Sequence, residues 1–237
     1  MERIDGRALD ELRPVQIRTE YLEVPDGSVL ISTGKTRVLC AASIEDSVPE
    51  WMERNQVPGG WVTAEYAMLP AATDPRGSRE VDGWSGRTQE IRRLIGRSLR
   101  ASIYLDQLGP RTCIVDCDVL QADGGTRTAA ISGGYVALAA ALQKLIAEEE
   151  ITEKVFRPRI AATSVGMVDG QPILDLCYRE DARADVDINV VMNATGELIE
   201  IQGTAEGEPF SRSQLETMLD MAHGGIQQLF HAQQEAL

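Results

Sequence analysis

Residues 112–147 decide the fold, and they read TCIVDCDVLQADGGTRTAAISGGYVALAAALQKLIA. The first part, Thr112–Gln121, is rich in β-branched and apolar residues, which predicts a strand. The small residues at 122–125 predict a turn, and the long apolar run Thr126–Ala147 predicts a buried helix. The predicted turn therefore sits directly between a strand and the start of a helix.

This turn and the helix start, Gly124-Gly125-Thr126-Arg127-Thr128, have the composition of a phosphate site. The glycines allow a tight turn and close approach of the backbone to a ligand. The helix start offers unpaired N–H groups and a positive dipole end, while arginine and threonine add donors. We therefore predict that this segment binds an anion such as phosphate. An ordinary helix start with a surface arginine remains the alternative.

A second segment, Ser85-Gly86-Arg87-Thr88, repeats this chemistry. Ser85 is a predicted N-cap, and apolar residues at helical spacing follow it. A surface arginine on an amphipathic helix would give the same pattern. Because two such segments occur in one chain, we predict that Arg87 and Arg127 converge on a single phosphate.

A third segment, residues 185–190, alternates acidic or polar residues with apolar ones. In a strand, Asp185, Asp187 and Asn189 would share one face and the valine and isoleucine residues would face the core. Acids are poor strand formers, so this face is typical of a carboxylate cluster that holds Mg²⁺. A solvated edge strand remains the alternative.

The rest of the chain alternates strands with a few helices. Further strands are predicted at residues 15–24, 28–33, 36–45, 61–68, 160–168, 172–177, 184–192 and 197–203, with loops at 46–60 and 70–85. A last helix begins after Ser211 with a capping-box pattern. This order predicts an α+β protein with mixed sheets packed against helices, in a single domain over residues 1–237.

Charge is unevenly distributed along the chain. The formal net charge is −14, which on its own argues against a nucleic-acid partner. Residues 76–100 nevertheless carry seven arginines against three acids. A local cationic region in an acidic protein suits a molecule that grips an anion at one place.

Cysteines and hydropathy indicate an intracellular protein. The four cysteines form no C-x-x-C pair and the chain has two histidines, so we expect buried free thiols rather than a zinc site. By our reading of the sequence, no apolar run approaches the ~18 residues that cross a bilayer. Residues 1–7 lack the apolar segment of a secretory signal. We therefore expect a cytoplasmic protein without a membrane partner.

Several longer motifs carry a resemblance to a known family. They are residues 13–15 (RPV), 61–70 (WVTAEYAMLP), 85–88 (SGRT), 90–97 (EIRRLIGR), 117–128 (CDVLQADGGTRT), 183–187 (RADVD) and 201–207 (IQGTAEG). Together they cover essentially the whole chain in order, and they resemble the bacterial ribonuclease PH family. The resemblance implies a β-α-β-α fold and a phosphate-dependent nucleotidyltransferase, which is a phosphorolytic 3′→5′ exoribonuclease.

The resemblance also implies roles for individual residues. Inorganic phosphate, held by Arg87 and by Gly125-Thr126-Arg127, is the co-substrate that attacks the last phosphodiester of an RNA 3′ end. A nucleoside 5′-diphosphate leaves, and the reaction can run backwards to add nucleotides. The family's catalytic acids correspond to Asp181 and Asp187. With Asp185 beside them, these residues would bind Mg²⁺ or another divalent metal, or protonate the departing ribose oxygen.

The partners implied are RNA and further copies of the chain. The expected substrates are precursor tRNA ends, with roles in tRNA and rRNA processing, and the expected assembly is a hexameric ring. Arg76 and Arg79 would contact the RNA. The family usually has a basic residue where Ala71 stands and a longer, lysine-richer loop where residues 81–84 stand, so the grip on RNA is expected to be weaker.

Two alternatives to an active nuclease remain at this point. One is a catalytically silent, RNA-binding ring subunit, and the other is a small-molecule phosphate enzyme unrelated to RNA. The presence of Asp181, Asp187, Arg87 and Arg127 favours the active enzyme over the silent subunit.

Overall fold

A computed structural model describes residues 3–237, in which two β-sheets enclose a central helix. The five-stranded sheet consists of β1 (Val15–Thr19), β2 (Gly27–Thr33), β3 (Thr36–Glu45), β4 (Trp61–Met68) and β5 (Thr112–Gln121). Its spatial order is β1-β2-β3-β5-β4. β4 runs parallel to β5, and the other neighbours are antiparallel.

The second sheet and the helices come mostly from the C-terminal half. The sheet consists of β6 (Ile160–Val168), β7 (Gln171–Leu174), β8 (Val186–Asn193) and β9 (Leu198–Ala205). It is antiparallel, in the order β7-β6-β8-β9. The helices are α1 (Glu50–Arg54), α2 (Gly86–Arg100), α3 (Thr126–Ala147), α4 (Tyr178–Asp181) and α5 (Arg212–Ala236).

Helix α3 lies between the two sheets and forms the centre of the larger core. It packs against β2, β3 and β5 on one side and β6 on the other. A Cβ on Gly133 would lie 2.6 Å from Ile31 Cγ2, so the close approach to β2 requires a glycine. On the other side, Ser132 Oγ accepts a hydrogen bond from the Ala162 N–H at 3.0 Å. Both sheets therefore hold the start of this helix in place.

One sequence expectation is wrong for α3. By length and composition this helix, with a mean hydropathy of 1.4 over its most apolar window, is apolar enough to cross a membrane. Most of that window is buried inside the protein. Because α3 is covered by protein on both sides, its apolar character is accounted for by packing between the sheets.

The other long helices cover the flanks of the sheets. Helix α2 packs beside α3 against β4, and α5 packs on the second sheet against β6 and β7. The predicted caps are confirmed: Ser85 accepts a hydrogen bond from the Thr88 N–H, and Ser211 forms a capping box with Gln214. The predicted α+β fold of mixed sheets packed against helices is confirmed.

The differences from the predicted elements have local causes. β1 ends at Thr19 rather than at residue 24, because Glu20 turns the chain with a φ of +54°. β7 ends at Leu174 rather than at residue 177, because Asp175 has a φ of +52°. The predicted loop at 46–60 contains the short helix α1. Met1 and Glu2, part of the segment expected to lack a signal, lie outside the described residues.

All four cysteines are buried free thiols, as predicted. Cys40 and Cys117 face each other across β3 and β5 in the core beneath α3. Burial, together with the neighbouring Cys40 thiol, holds the pKa of Cys117 well above its usual value. These thiols serve as small core side chains.

Candidate active site

The turn before α3 is shaped to expose the first amides of that helix. Gly124 and Gly125 have φ values of +76° and +65°, which favour glycine. A Cβ on Gly124 would lie 2.5 Å from the carbonyl oxygen of Leu176, so the turn also needs the space. Because the first N–H groups of a helix have no partner within it, the amides from Thr126 onward suit an anion.

The threonine hydroxyls of this segment contribute less than predicted. Thr126 is buried, and its Oγ1 lies 2.9 Å from the Tyr66 hydroxyl. Thr128 is also buried and donates to the Gly125 carbonyl at 2.9 Å. Since buried hydroxyls need partners, both are already satisfied inside the protein. Gly125 and Thr126 therefore offer main-chain amides, and their phosphate-binding role stays a prediction.

The four side chains predicted to carry the chemistry lie around one cavity. Arg87, on the first turn of α2, and Arg127, on the first turn of α3, line a cavity of about 690 Å³. Asp181, the last residue of α4, and Asp187, on β8, line the same cavity. The fold thus brings together residues that are 100 positions apart in the sequence, from Arg87 to Asp187.

Arg127 is already partly neutralised by neighbours on two other elements. Its Nη1 donates to Gln202 Oε1 at 2.9 Å and lies 3.6 Å from Glu90 Oε1. The Gln202 amide in turn donates to Glu90 Oε1 at 2.7 Å. This set fixes the guanidinium across α2, α3 and β9. Arg87 differs, since within residues 3–237 no carboxylate lies within ion-pair distance of it.

The two acids differ from ordinary surface carboxylates. Burial, and after it the negative charge of Asp181, raise the pKa of Asp187 to about 6, although Arg127 opposes the shift. Burial also raises the pKa of Asp181, against the lowering effect of Arg127 and Arg87. Asp181 is nevertheless exposed and Asp187 is partly buried. Neighbouring carboxyl groups with raised pKa values are typical of sites that bind a cation or transfer a proton.

The predicted alternation on β8 is confirmed from Val186 onward. Val186, Ile188 and Val190 belong to the core under α5, while Asp187 and Asn189 line the cavity on the opposite face. This strand is covered on both faces rather than being a solvated edge.

Asp185, the third predicted metal ligand, does not line this cavity. It directly precedes β8 and its side chain is exposed. Its N–H donates to the Met167 carbonyl, and its carbonyl accepts from the Glu206 N–H. Within residues 3–237, no group of three or more His, Cys, Asp or Glu side chains is arranged to hold a metal. The roles of Asp181, Asp185 and Asp187 in metal binding therefore stay predictions.

Arg76 and Arg79, the predicted RNA contacts, lie apart from this cavity. Both are exposed in the loop between the short 3₁₀ turn Pro70–Ala72 and α2. Arg76 makes one hydrogen bond, to the Gly77 carbonyl. Neither lines the cavity, so their role in binding RNA stays a prediction.

Sequence reasoning missed several residues that shape the site. Gln202 and Glu90 were not singled out, although both lie within the quoted motifs. Asp175 was also missed, yet an acid between Leu174 and Leu176 in an apolar run signals a buried carboxylate that needs a cation. Arg13 is that cation.

Comparison with known sequences assigns the chain to a family. Sequence profiles of the 3′ exoribonuclease family match residues 11–142, as domain 1, and residues 159–225, as domain 2. The profiles divide the family sequence in two, while α3 contacts both sheets of this chain. The single domain predicted for residues 1–237 stays a prediction.

Individual proteins show the same relationship at high identity. Ribonuclease PH of Corynebacterium efficiens is 56% identical, over 99% of this chain and 96% of the relative. Ribonuclease PH of Mycobacterium sp. (strain KMS) is 58% identical, over 99% and 91%. Ribonuclease PH of Parasynechococcus marenigrum is 50% identical, over 100% and 94%.

Solved structures share the fold at much lower identity. A crystal structure of rice (Oryza sativa) Rrp46 matches with a TM-score of 0.79 at 17% identity, covering 98% of both chains. A chain of the Archaeoglobus fulgidus exosome with RNA bound to the active site also gives 0.79, at 20% identity, over 97% of this chain and 92% of that one. The fold and the full-length matches lead to one assignment: this chain belongs to the 3′ exoribonuclease family, among the bacterial ribonucleases PH.

Proposed function

We propose that the chain trims RNA 3′ ends by phosphorolysis and that the cavity between α2, α3, α4 and β8 is its active site. The observation that carries the proposal is the convergence of Arg87 and Arg127 with Asp181 and Asp187 around that cavity. A phosphorolytic enzyme must hold one phosphate beside a phosphodiester and supply a proton or a cation at the leaving group. The cationic wall (Arg87 and Arg127) and the acidic wall (Asp181 and Asp187) of this cavity would supply these two functions.

The reaction needs positioning more than a covalent nucleophile. An oxygen of inorganic phosphate attacks the phosphorus of the last phosphodiester, and the bond from phosphorus to the 3′ oxygen of the preceding ribose breaks. That oxygen takes a proton, and the last nucleotide leaves as a nucleoside 5′-diphosphate. Arg87, Arg127 and the first amides of α3 would orient the attacking phosphate and neutralise its charge.

Asp187 is suited to the proton transfer. Its pKa of about 6, raised first by burial and then by Asp181, keeps a protonated fraction available near neutral pH. A carboxyl with the usual pKa would be almost fully ionised there. Asp181, at the end of α4 on the same cavity, is the second acid of the pair.

A divalent metal such as Mg²⁺ fits the acidic wall. Two carboxylates that repel one another favour a cation, and Mg²⁺ is commonly held by one or two carboxylates together with water and substrate phosphate. Asp181 and Asp187 would hold it. When bound, the metal neutralises charge on the phosphoryl group being transferred.

The proposal extends to the substrate, the assembly and the location. We assign precursor tRNA ends as substrates and a hexameric ring as the assembly. Cationic side chains of the 76–100 region, among them Arg76 and Arg79, would contact the RNA backbone. A cytoplasmic location is consistent with four buried free thiols.

The deciding experiment is incubation of a tRNA-like RNA, extended at its 3′ end, with the protein, Mg²⁺ and phosphate. We expect nucleoside 5′-diphosphates that appear only when phosphate is added. Nucleoside monophosphates formed equally well without phosphate would replace phosphorolysis by hydrolysis. RNA binding without any product would favour the silent ring subunit instead.

A further inference from the structure

The N-terminal segment contacts both walls of the cavity through Arg13. Its backbone N–H and Nε both donate to Asp175 Oδ2, at 2.8 and 2.9 Å, and its Nη2 donates to Oδ1 at 2.6 Å. Its Nη1 donates to the Asp123 carbonyl at 2.5 Å, and Nη2 lies 3.5 Å from the Gly124 carbonyl. One guanidinium therefore joins the phosphate-binding turn to the segment that leads into α4.

Asp175 is held in an unusual conformation by these contacts. Its φ of +52° lies in the left-handed region, which costs free energy for a residue other than glycine. Its carboxylate is almost fully buried and receives the Arg13 contacts, while its carbonyl accepts hydrogen bonds from Arg3 and Arg7 at 3.1 Å. Three arginines of the N-terminal segment thus converge on this single residue.

The same segment also fixes the helix that carries Asp181. Arg3 Nε and Nη2 donate to the two carboxylate oxygens of Glu180, at 2.9 and 2.8 Å, and both side chains are essentially inaccessible to solvent. Glu180 also accepts a hydrogen bond from the Cys177 N–H at 3.0 Å. Because Asp181 follows Glu180 directly, this ion pair anchors the backbone on which Asp181 stands.

The turn and the α4 segment are in direct contact beside Arg13. The Tyr178 N–H points at Asp123 Oδ1 at 3.4 Å, and there is no space for a Cβ on Gly124 against the Leu176 carbonyl. Thr36 adds a further tie to the turn: its hydroxyl donates to the Gly124 carbonyl at 2.7 Å and accepts from the Asp123 N–H at 2.9 Å. Movement of one wall therefore requires movement of the other.

We infer that Arg13, oriented by Asp175, is a positioning residue that fixes the phosphate-binding turn relative to Asp181. The inference rests on the proposed phosphorolytic function. Buried ion pairs are poor sources of net stability, because desolvation offsets their attraction. Because the Arg13–Asp175 pair contacts both walls of the cavity, we assign it the role of holding the two walls in a fixed relative position.

Loss of the tie should change turnover more than phosphate binding. Replacing Arg13 removes none of the phosphate-binding groups, which are the amides of α3, Arg87 and Arg127. Phosphate affinity should therefore change little. The attacking phosphate and the acid at the leaving group are then less well aligned, and a displacement of about 1 Å can cost on the order of 100-fold in rate. We expect kcat for Arg13→Gln to fall about 10–100-fold, with KM for phosphate changed less than about threefold.

The test compares four variants in the phosphate-dependent trimming assay, with kcat expressed per folded molecule. Arg13→Gln removes the tie. Arg13→Lys keeps the charge but cannot span the carboxylate and the carbonyl together, so an intermediate kcat is expected. Thr36→Val removes only the hydroxyl that holds the turn, and it provides the same readout if Arg13→Gln does not fold. Arg111→Gln is the control, because Arg111 likewise joins separate segments, through Asp46, Glu150 and the Leu108 carbonyl, but does not line the cavity.

The expected pattern is a lower kcat in Arg13→Gln, Arg13→Lys and Thr36→Val, with unaltered kcat in Arg111→Gln. Unaltered kcat per folded molecule in the Arg13 and Thr36 variants would reduce Arg13 to a structural residue and overturn the inference. A rise in KM for phosphate without a fall in kcat would also overturn it, since Arg13 would then serve phosphate binding itself. If the unaltered protein forms no nucleoside diphosphate, it is the proposed function that fails, and the variants are not needed to decide it.

Discussion

The cationic and the acidic walls of the cavity are built on different principles. On the cationic wall, Arg127 has neutral and acidic partners in Gln202 and Glu90, and both arginines stand at helix starts with one face toward solvent. On the acidic wall, Asp187 lies on a strand covered on both faces and has a pKa raised by burial and by Asp181. Arg127 on the cationic wall has its charge balanced before substrate binds, whereas Asp187 on the acidic wall does not.

This difference assigns the two walls different duties. A satisfied guanidinium keeps a fixed position and can bind phosphate with little rearrangement. Asp187 is partly buried beside Asp181, so its ionised form is destabilising until a proton or a cation reaches it. A proton or a cation that binds there during the reaction relieves this cost. The acidic wall should therefore dominate turnover and the cationic wall should dominate the use of phosphate.

The largest expected effect comes from the acidic wall. Asp187→Asn and Asp181→Asn keep the size of each side chain and remove its charge and acid function. We expect each to lower turnover by about 100- to 10,000-fold, the range of general acid catalysis. Release of nucleoside diphosphate from a tRNA-like RNA measures this, and gel filtration checks that assembly is unchanged. Near-normal turnover in both variants would leave the acids without a catalytic role.

The cationic wall should give the next largest effect. Removing one charge-assisted contact costs roughly 1.5–3 kcal/mol, so Arg127→Ala and Arg87→Ala should weaken phosphate use about 10–150-fold. We expect this as a raised KM for phosphate, measured at saturating RNA. Arg212→Ala, which breaks an exposed pair with Glu216, is the control.

The two arginines should also differ from each other. Arg127→Ala leaves Glu90 and Gln202 without their cation, whereas Arg87 has no such partner within the described residues. The Arg127 variant should therefore be the more impaired one. If phosphate dependence is unchanged in a folded Arg127→Ala protein, the phosphate must bind elsewhere in the cavity.

A third prediction concerns stability and tests whether the acidic wall is destabilising. The pKa of Asp187 is about 6 in the folded protein against an ordinary value of 3.8. A carboxyl with a raised folded pKa stabilises the fold only while protonated. Its contribution is complete below pH 3.8 and is lost as pH rises through about 6. Asp187→Asn should therefore raise the free energy of unfolding above about pH 6, by no more than about 3 kcal/mol.

Urea unfolding of metal-free protein measures this effect. The advantage of Asp187→Asn over the unaltered protein should grow from about pH 4 to about pH 6.5 and be constant above that. A pH-independent difference would mean that Asp187 is not desolvated, and the contrast between the walls would disappear. In that case Asp187→Asn would lose activity without a rise in the free energy of unfolding.

The bounds and faces of the elements could be predicted from the sequence where a functional motif and a clear hydrophobic period occur in the same segment. The bounds of β5 and α3 match the predicted Thr112–Gln121 and Thr126–Ala147, because a period of two changes to a buried helical run across a glycine turn. The face of β8 was predicted from Val186 onward for the same reason. Asp185 fits the alternation but lies one residue before β8 and does not line the cavity, because periodicity does not show where a strand or a cavity ends.

Contacts between distant segments could not be predicted in this way. Gln202, one partner of Arg127, lies 75 residues away in the sequence. Arg13 and Asp175 are 162 residues apart. No local pattern signals which amide or acid will meet a given guanidinium. The Thr126 hydroxyl was assigned to phosphate because its inner partner, Tyr66, lies on another strand. Local sequence propensity therefore predicts the helices and strands. Tertiary packing determines which polar atoms are left to bind a ligand.

The smallest expected effect concerns RNA binding outside the cavity, by the exposed loop between the 3₁₀ turn Pro70–Ala72 and α2. Ala71 is exposed where the family usually has a basic residue, so the protein should neutralise one RNA phosphate fewer at this position. Ala71→Lys should steepen the plot of log affinity against log salt by about 0.7, the value for one contact to a single strand. RNA affinity over a salt series measures it.

Trp84 can contribute to RNA binding by stacking on a base rather than by charge. Its ring is 55% exposed, and the Arg92 guanidinium covers one face at 3.5 Å from the ring centre. The other face can stack on a base, which is worth ~1–3 kcal/mol and depends little on salt. Trp84→Ala should therefore lower affinity equally at every salt concentration, while Ala71→Lys changes the slope. If Trp84→Ala alters the slope instead, its effect runs through Arg92, which would lose its stacking partner and move relative to Glu65. If neither variant changes affinity or slope, this loop does not touch RNA, and the tryptophan is a subunit contact.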